Sequence, residues 1–201
     1  KIMKHLETIP ICANALFIYK LNIKKDLSLE FKKEKFKPIK KIGDSLISKD
    51  LNILKKYNNL NKEINKAVDK TLKEILMLKN VNYRIFSSWL TKTKPKSIYG
   101  SESHKHPNSW LSGIYYPKHD PNFGIKFYND NINHFFTPPA KYNIYNSNEW
   151  TFIPEDNYLI LFFSNLRHKI IPNLSLKSRY SLAFNILPKG KFGSLDSKLI
   201  F

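Results

Sequence analysis

The stretch RHKIIPNLSLKSRYSLAFN, residues 167–185, decides how this chain folds. It holds the starts of two strand-like runs, 168–171 and 179–187, parted by a turn signal at Pro172 and Asn173. The second run alternates. Arg179, Ser181, Ala183 and Asn185 fall on one face, and Tyr180, Leu182, Phe184 and Ile186 on the other. The apolar face packs into a core. The polar face meets either bulk water or the inside of a barrel. Inside a barrel the arginine is buried and needs an anionic partner, which a carboxylate ligand would supply.

Working outward, further apolar and aromatic runs read as strands at 83–90, 110–116, 124–128, 142–145, 150–153 and 158–163. Turn signals separate them at 117–121, 129–133, Pro138 with Pro139, and 154–157. Many short strands at this spacing predict a mainly β sandwich or barrel. The N-terminal part differs. Residues 15–21 read as a short strand followed by a Lys-rich loop to about residue 40. Leu60, Ile64, Ala67, Val68, Leu72, Ile75 and Leu76 recur at helical spacing, predicting a helix over 60–78 that Asn58 or Asn59 caps. The expected organisation is one domain, 1–201. An N-terminal strand and supporting helix occupy about 1–80, and a β core about 81–201.

The 201 residues suffice for one domain with a substantial core, and 42% hydrophobic residues exclude a disordered chain. The single cysteine, Cys12, excludes an internal disulfide and fits a reducing, cytoplasmic setting. No apolar run approaches the roughly 20 residues of a membrane helix, so no membrane partner is expected. The net charge of +18 raises nucleic acid as a partner. Two observations count against it. Lys, Asn and Ile are all abundant, at 31, 21 and 23 residues, which points to a coding bias. The excess also lies in residues 1–100, with 23 basic and 9 acidic side chains against 11 and 7 in the rest. A solvated basic face is the simpler reading.

The segment SHKHPNSWLSGIYY, residues 103–116, carries the other chemistry. If it is extended, His104 and His106 share a face. A third histidine, His168, opens the strand before Arg179. A lone histidine is more often structural than a ligand; three in this order make a candidate metal set. Their spacing alone leaves iron and zinc both open. Arg179 is one of only three arginines, with Arg84 and Arg167, beside 31 lysines. A guanidinium grips a carboxylate through two parallel hydrogen bonds, which lysine cannot do. A structural ion pair is the alternative use for it. His5, His119 and His134 read as surface or turn residues, and Trp89, Trp110 and Trp150 as core or pocket wall.

SSWL, HKHPNSWLSGIYY, FGIKFY, LILFFSNLRHKIIPN and SRYSLAFN, in that order after ALFIYKLNI, resemble the 2-oxoglutarate and iron(II)-dependent oxygenases. The similarity extends to a subfamily of uncharacterised oxygenases distantly similar to prolyl hydroxylases, over nearly the whole chain. It implies a double-stranded β-helix, a jelly roll of cupin-like form. It implies iron(II), 2-oxoglutarate and dioxygen as cofactors, with metal ligands at His104, His106 and His168. The family's first pair is usually His-x-Asp or His-x-Glu, so His106 stands where a carboxylate is usual. Asp130, Asp120 or Glu102 is the alternative ligand from a loop. The resemblance places the far carboxylate of 2-oxoglutarate on Arg179 and Ser181. On the strand after His106, Tyr116 is in phase with the histidines and is a further candidate donor, with Tyr115 as its fallback. Asn108 and Asn185 are further pocket candidates. Loops 117–122 and 129–141 are expected to flank the mouth.

The function implied is hydroxylation by a dioxygenase, a prolyl or other amino-acid side chain being the first candidate substrate by analogy. Two alternatives come from other classes. One is a metal-binding jelly roll without catalysis. The other is a nucleic-acid-directed protein using Lys32, Lys33 and Lys35. Neither substrate identity nor oligomeric state is legible in the sequence.

Overall fold

The computed structural model describes residues 5, 7–8, 14–39, 45–79, 81–130, 137–192 and 195–200. Cys12 and His134 lie outside them. Strand β1 (Leu16–Lys20) is followed by a single helical turn, α1 (Ser28–Phe31), then β2 (Phe36–Pro38) and β3 (Ser45–Ser48). Helix α2 (Asn58–Lys70) runs on into a π turn at Thr71–Ile75. Strands β4 (Asn82–Thr93), β5 (Leu111–Tyr116), β6 (Ile125–Tyr128), β7 (Glu149–Phe152), β8 (Tyr158–Phe163), β9 (His168–Ile170) and β10 (Arg179–Lys189) follow. A short pair, β11 (Lys191–Phe192) and β12 (Leu199–Ile200), ends the described chain.

The strands build two facing antiparallel sheets. The larger has the order β1-β8-β5-β10-β4-β3-β2, the smaller β7-β6-β9. Residues 101–106 extend the smaller sheet as a strap along β9. His104 and His168 exchange both backbone hydrogen bonds at 2.9 Å, and the Ser101 N–H reaches the Ile170 carbonyl at 3.1 Å. This is the barrel expected from the many short strands, in the jelly-roll form that the resemblance implies.

Alternation within each strand of the larger sheet sorts two cores. Leu111, Tyr115, Leu159, Leu161, Leu182, Phe184 and Ile186 face away from the barrel and pack with Leu60, Ile64, Ala67, Val68 and Leu72 of the helical layer. Ile114, Tyr116, Ile160, Phe162 and Ala183 face inward onto Ile125, Phe127 and Ile170 of the smaller sheet. Gly113 is required on the outer side, because the Phe184 ring lies where a β-carbon would be.

Four local expectations are corrected. Residues 142–145 form a turn, not a strand: Asn143 Oδ1 takes the Tyr145 N–H at 2.8 Å, and Asn146 Oδ1 the Asn143 N–H at 2.7 Å. Asparagine turn chemistry outweighs the β propensity of the tyrosines there. The Lys-rich loop contains α1 and β2, the latter existing because it pairs with β3. Helix α2 begins at Asn58 after Tyr57, with no side-chain cap. Residues 91–93, read as loop, continue β4 because both β3 and β10 pair with them.

Candidate metal and cosubstrate site

Three histidines meet inside the barrel. One ring nitrogen from each of His104, His106 and His168 lies within 4.8 Å of the other two. The strap supplies His104 and His106, and β9 supplies His168. Gly100, with φ +64°, brings the strap in so close that a β-carbon there would strike the carbonyls of Ile170 and Ile171. The Nδ1–H groups of His104 and His168 are satisfied by backbone, donating to the Glu102 and Leu166 carbonyls at 2.9 Å each. Those bonds turn both Nε2 lone pairs inward, the orientation a metal ligand needs. His106 Nε2 lies 3.2 Å from His168 Nε2. Ligands about 2.1 Å from a common ion at right angles stand about 3 Å apart, so this pair fits one metal.

His106 is held from its other sides. Its ring stacks on Trp89, with centroids 5.7 Å apart, and Asn185 of β10 is its hydrogen-bonding neighbour. The amide oxygen of Asn185 takes the Ser112 hydroxyl at 2.9 Å, and Ser112 and Ser164 share a bond of 2.8 Å. The His106 N–H donates to the Ser164 carbonyl. Ser112 and Ser164 were not singled out from the sequence. Ser112 was legible there, since it alternates in phase with Ile114 and Tyr116.

No carboxylate joins the histidines among the described residues. Asp130 is bound at 2.7 Å to both Lys105 and Arg167, the neighbours of the metal candidates, in an exposed cluster that also stacks Arg167 on Tyr128. Asp120 is paired with Arg179. Glu102 contributes its carbonyl rather than its carboxylate.

Burial pushes His106 down to about 4 and His168 down to about 3, so both rings are neutral at neutral pH and free to ligate. The sign for stability follows. An unfolded histidine titrates near 6.5. Below that pH the unfolded chain takes up protons that the folded, metal-free protein refuses, so stability falls as pH drops from about 6.5 toward the folded values. At pH 5 each ring is expected to remove about 2 kcal/mol. Urea denaturation of metal-free protein at pH 7.5 and pH 5 checks this; equal midpoints would contradict neutral buried rings.

The far end of the inner face holds the arginine. Ser112 faces Asn185 across β5 and β10, Ile114 faces Ala183, and Tyr116 and Ser181 lie two residues further along. The lining thus runs from polar, beside the histidines, through apolar to polar again over about 13 Å of strand. Arg179 and Asp120 are ion-paired there, their side chains only 14% and 8% exposed. Arg179 Nε is fully buried with no hydrogen-bond partner among the described residues. The side chains of Tyr116 and Ser181 are buried at the same end of this face. An orphaned guanidinium nitrogen on the same face as Ser181 fits a carboxylate.

Tyr115 is not at this site: it points to the helical side, where its hydroxyl donates to Asn157 Oδ1 at 2.6 Å. Asn108 is not either. It sits exposed in the turn after His106 with φ +61°, a left-handed position that asparagine tolerates. His119 is exposed in a turn, as expected, and Trp150 is exposed rather than core. The 117–122 loop closes the arginine end through Asp120. The 129–141 loop falls partly outside the described residues.

Residues 87–185 match the family described as "Putative 2OG-Fe(II) oxygenase". That segment, just under half of the chain, is similar to the 2-oxoglutarate and iron(II)-dependent oxygenases. Solved structures share the fold of this oxygenase. A prolyl hydroxylase from Trichoplax adhaerens, solved with a peptide fragment of the hypoxia inducible factor oxygen degradation domain, is 14% identical with a TM-score of 0.60; the match covers 87% of this chain and 84% of that one. A Pseudomonas putida prolyl-4-hydroxylase is 13% identical with a TM-score of 0.57, over 88% and 94% of the two chains. HygX from Streptomyces hygroscopicus, bound to nickel, 2-oxoglutarate and hygromycin B, is 10% identical with a TM-score of 0.57, over 86% and 82%. No curated protein matches the sequence. The oxygenase's cofactors are iron(II) and 2-oxoglutarate, with dioxygen as the oxidant. Among the described residues, no helix is long and apolar enough to cross a membrane.

Proposed function

We propose that this oxygenase hydroxylates an amino-acid side chain, prolyl first among candidates, using His104, His106 and His168 as iron ligands and Arg179 as the cosubstrate anchor. The convergence of three inward-facing imidazoles carries the reading. The substrate class is supported by the fold shared with two prolyl hydroxylases.

When bound together, iron(II), 2-oxoglutarate and dioxygen supply the oxidation: one oxygen atom ends in succinate, carbon dioxide leaves, and the other oxygen enters a substrate C–H bond. The chain's own residues bind and orient. The Nδ1–H bonds of His104 and His168 hold their Nε2 atoms inward, while Asn185 and Trp89 fix the His106 ring. Arg179 Nε, Ser181 Oγ and Tyr116 Oη offer donors to the distal carboxylate of the keto acid. Ile114 and Ala183 line the middle, where the two methylenes would lie, and exclude water. The polar, apolar, polar lining matches a keto acid that is polar at both ends.

The test is anaerobic. Iron(II) with 2-oxoglutarate is expected to give a visible charge-transfer band that needs both components. Under air, proline-containing peptides are then expected to increase succinate release and gain one oxygen atom by mass. Folded protein that binds iron(II) but never gives the band would leave a metal-binding jelly roll without catalysis.

A further inference from the structure

Arg179 already has a carboxylate partner. Asp120 reaches it from the loop between β5 and β6 and engages Nη2. The carboxylate is not free to swing: Asp120 Oδ1 accepts the Asn122 N–H at 2.8 Å, and its carbonyl accepts the Phe123 N–H at 3.1 Å. The pair is buried, so each charge depends on the other. Yet Nε of the same guanidinium is buried with no partner among the described residues. A guanidinium has five N–H donors, enough for two carboxylates.

We propose that Asp120 is a resident counter-charge that stays on Arg179 when the cosubstrate binds, leaving Nε for the distal carboxylate and thereby limiting affinity for 2-oxoglutarate. The inference rests on the cosubstrate reading above. Charge supplies a second reason. Three neutral imidazoles contribute no charge, so iron(II) with dianionic 2-oxoglutarate is neutral, and Arg179 alone would leave a buried positive charge. Asp120 cancels it, standing in for the carboxylate missing from the metal set. The cost falls on the cosubstrate, whose distal carboxylate must lie beside another anion. Two like charges sharing one guanidinium in a partly buried site repel enough to weaken binding by about 10-fold or more.

The test is calorimetric titration of the anaerobic iron(II) protein with 2-oxoglutarate and with pyruvate, a keto acid lacking the distal carboxylate. The variants are Asp120→Asn, which keeps an acceptor for the Asn122 N–H, and Asp120→Ser, which guards against misfolding of the first. Circular dichroism checks the fold. The expected result is 2-oxoglutarate binding tightened by about 10-fold or more, with pyruvate unchanged. Unchanged or weaker 2-oxoglutarate binding in a folded variant would overturn the proposal and leave Asp120 as a residue that orients Arg179. Equal tightening of both keto acids would also overturn it, since the effect would then not act at the distal carboxylate. Failure of the cosubstrate reading is distinguishable: the iron(II)-loaded wild type would then bind no 2-oxoglutarate at all.

Discussion

His168→Ala is expected to lower iron(II) affinity by at least about 100-fold, beyond the 10-fold to 100-fold usual for losing an outer-shell partner. His168 is the most buried of the three imidazoles. Its Nδ1–H is committed to the Leu166 carbonyl, and its ring packs against Phe162 at 4.8 Å and Phe127 at 5.9 Å between centroids. Loss of the ring removes a preset Nε2 and leaves His104 and His106, both on one strap, without the ligand from β9. A purely structural histidine would affect stability alone. The discriminating readout is therefore the rise in melting temperature on adding iron(II) anaerobically. Wild type should show a rise and His168→Ala none. The metal-free variant should also be less sensitive to acid, because one depressed pKa is gone. Wild-type iron affinity in His168→Ala would refute the three-histidine site.

The second large effect is expected at Arg179. Arg179→Gln should weaken 2-oxoglutarate binding by about 10-fold to 100-fold, the worth of a charged hydrogen-bonding contact, while iron(II) affinity is unchanged. It should also destabilise the protein by about 3–5 kcal/mol, because Asp120 remains buried without its cation. The two consequences separate in the double variant Arg179→Gln with Asp120→Asn. Stability should recover much of the loss, since no lone charge is left buried, but 2-oxoglutarate binding should not. Chemical denaturation and calorimetry on the four proteins of this cycle measure both. Undiminished 2-oxoglutarate binding in Arg179→Gln would remove the arginine from the site and leave it a structural ion pair.

The sequence by itself determined what depends on local period. Alternation from Arg179 to Ile186 sorted two faces of β10, and the structure puts the apolar set against the helical layer and Ala183 inside the barrel. The stripe from Leu60 to Leu72 was legible because one helical face must be apolar to be buried. The His-x-His spacing was informative for the same reason: two residues of extended chain point one way. Tyr116, in phase with Ser112 and Ile114, followed from period 2, while Tyr115, one residue out of phase, is on the opposite face.

Only tertiary structure decided the rest, because it depends on residues far apart in the chain. Pairing with β3 made a strand of Phe36–Pro38 within a run of lysines. A left-handed turn put Asn108 outside the site. Bringing the strap onto β9 joined His104 and His106 to His168, and excluded Asp130, which went to Lys105 and Arg167. Above all, the partner of Arg179 was decided by the fold. Burial demands an anion for a guanidinium, a demand readable from the strand pattern. Which anion answers it depends on how the loop after β5 closes over the end of the barrel, and that closure places Asp120 there.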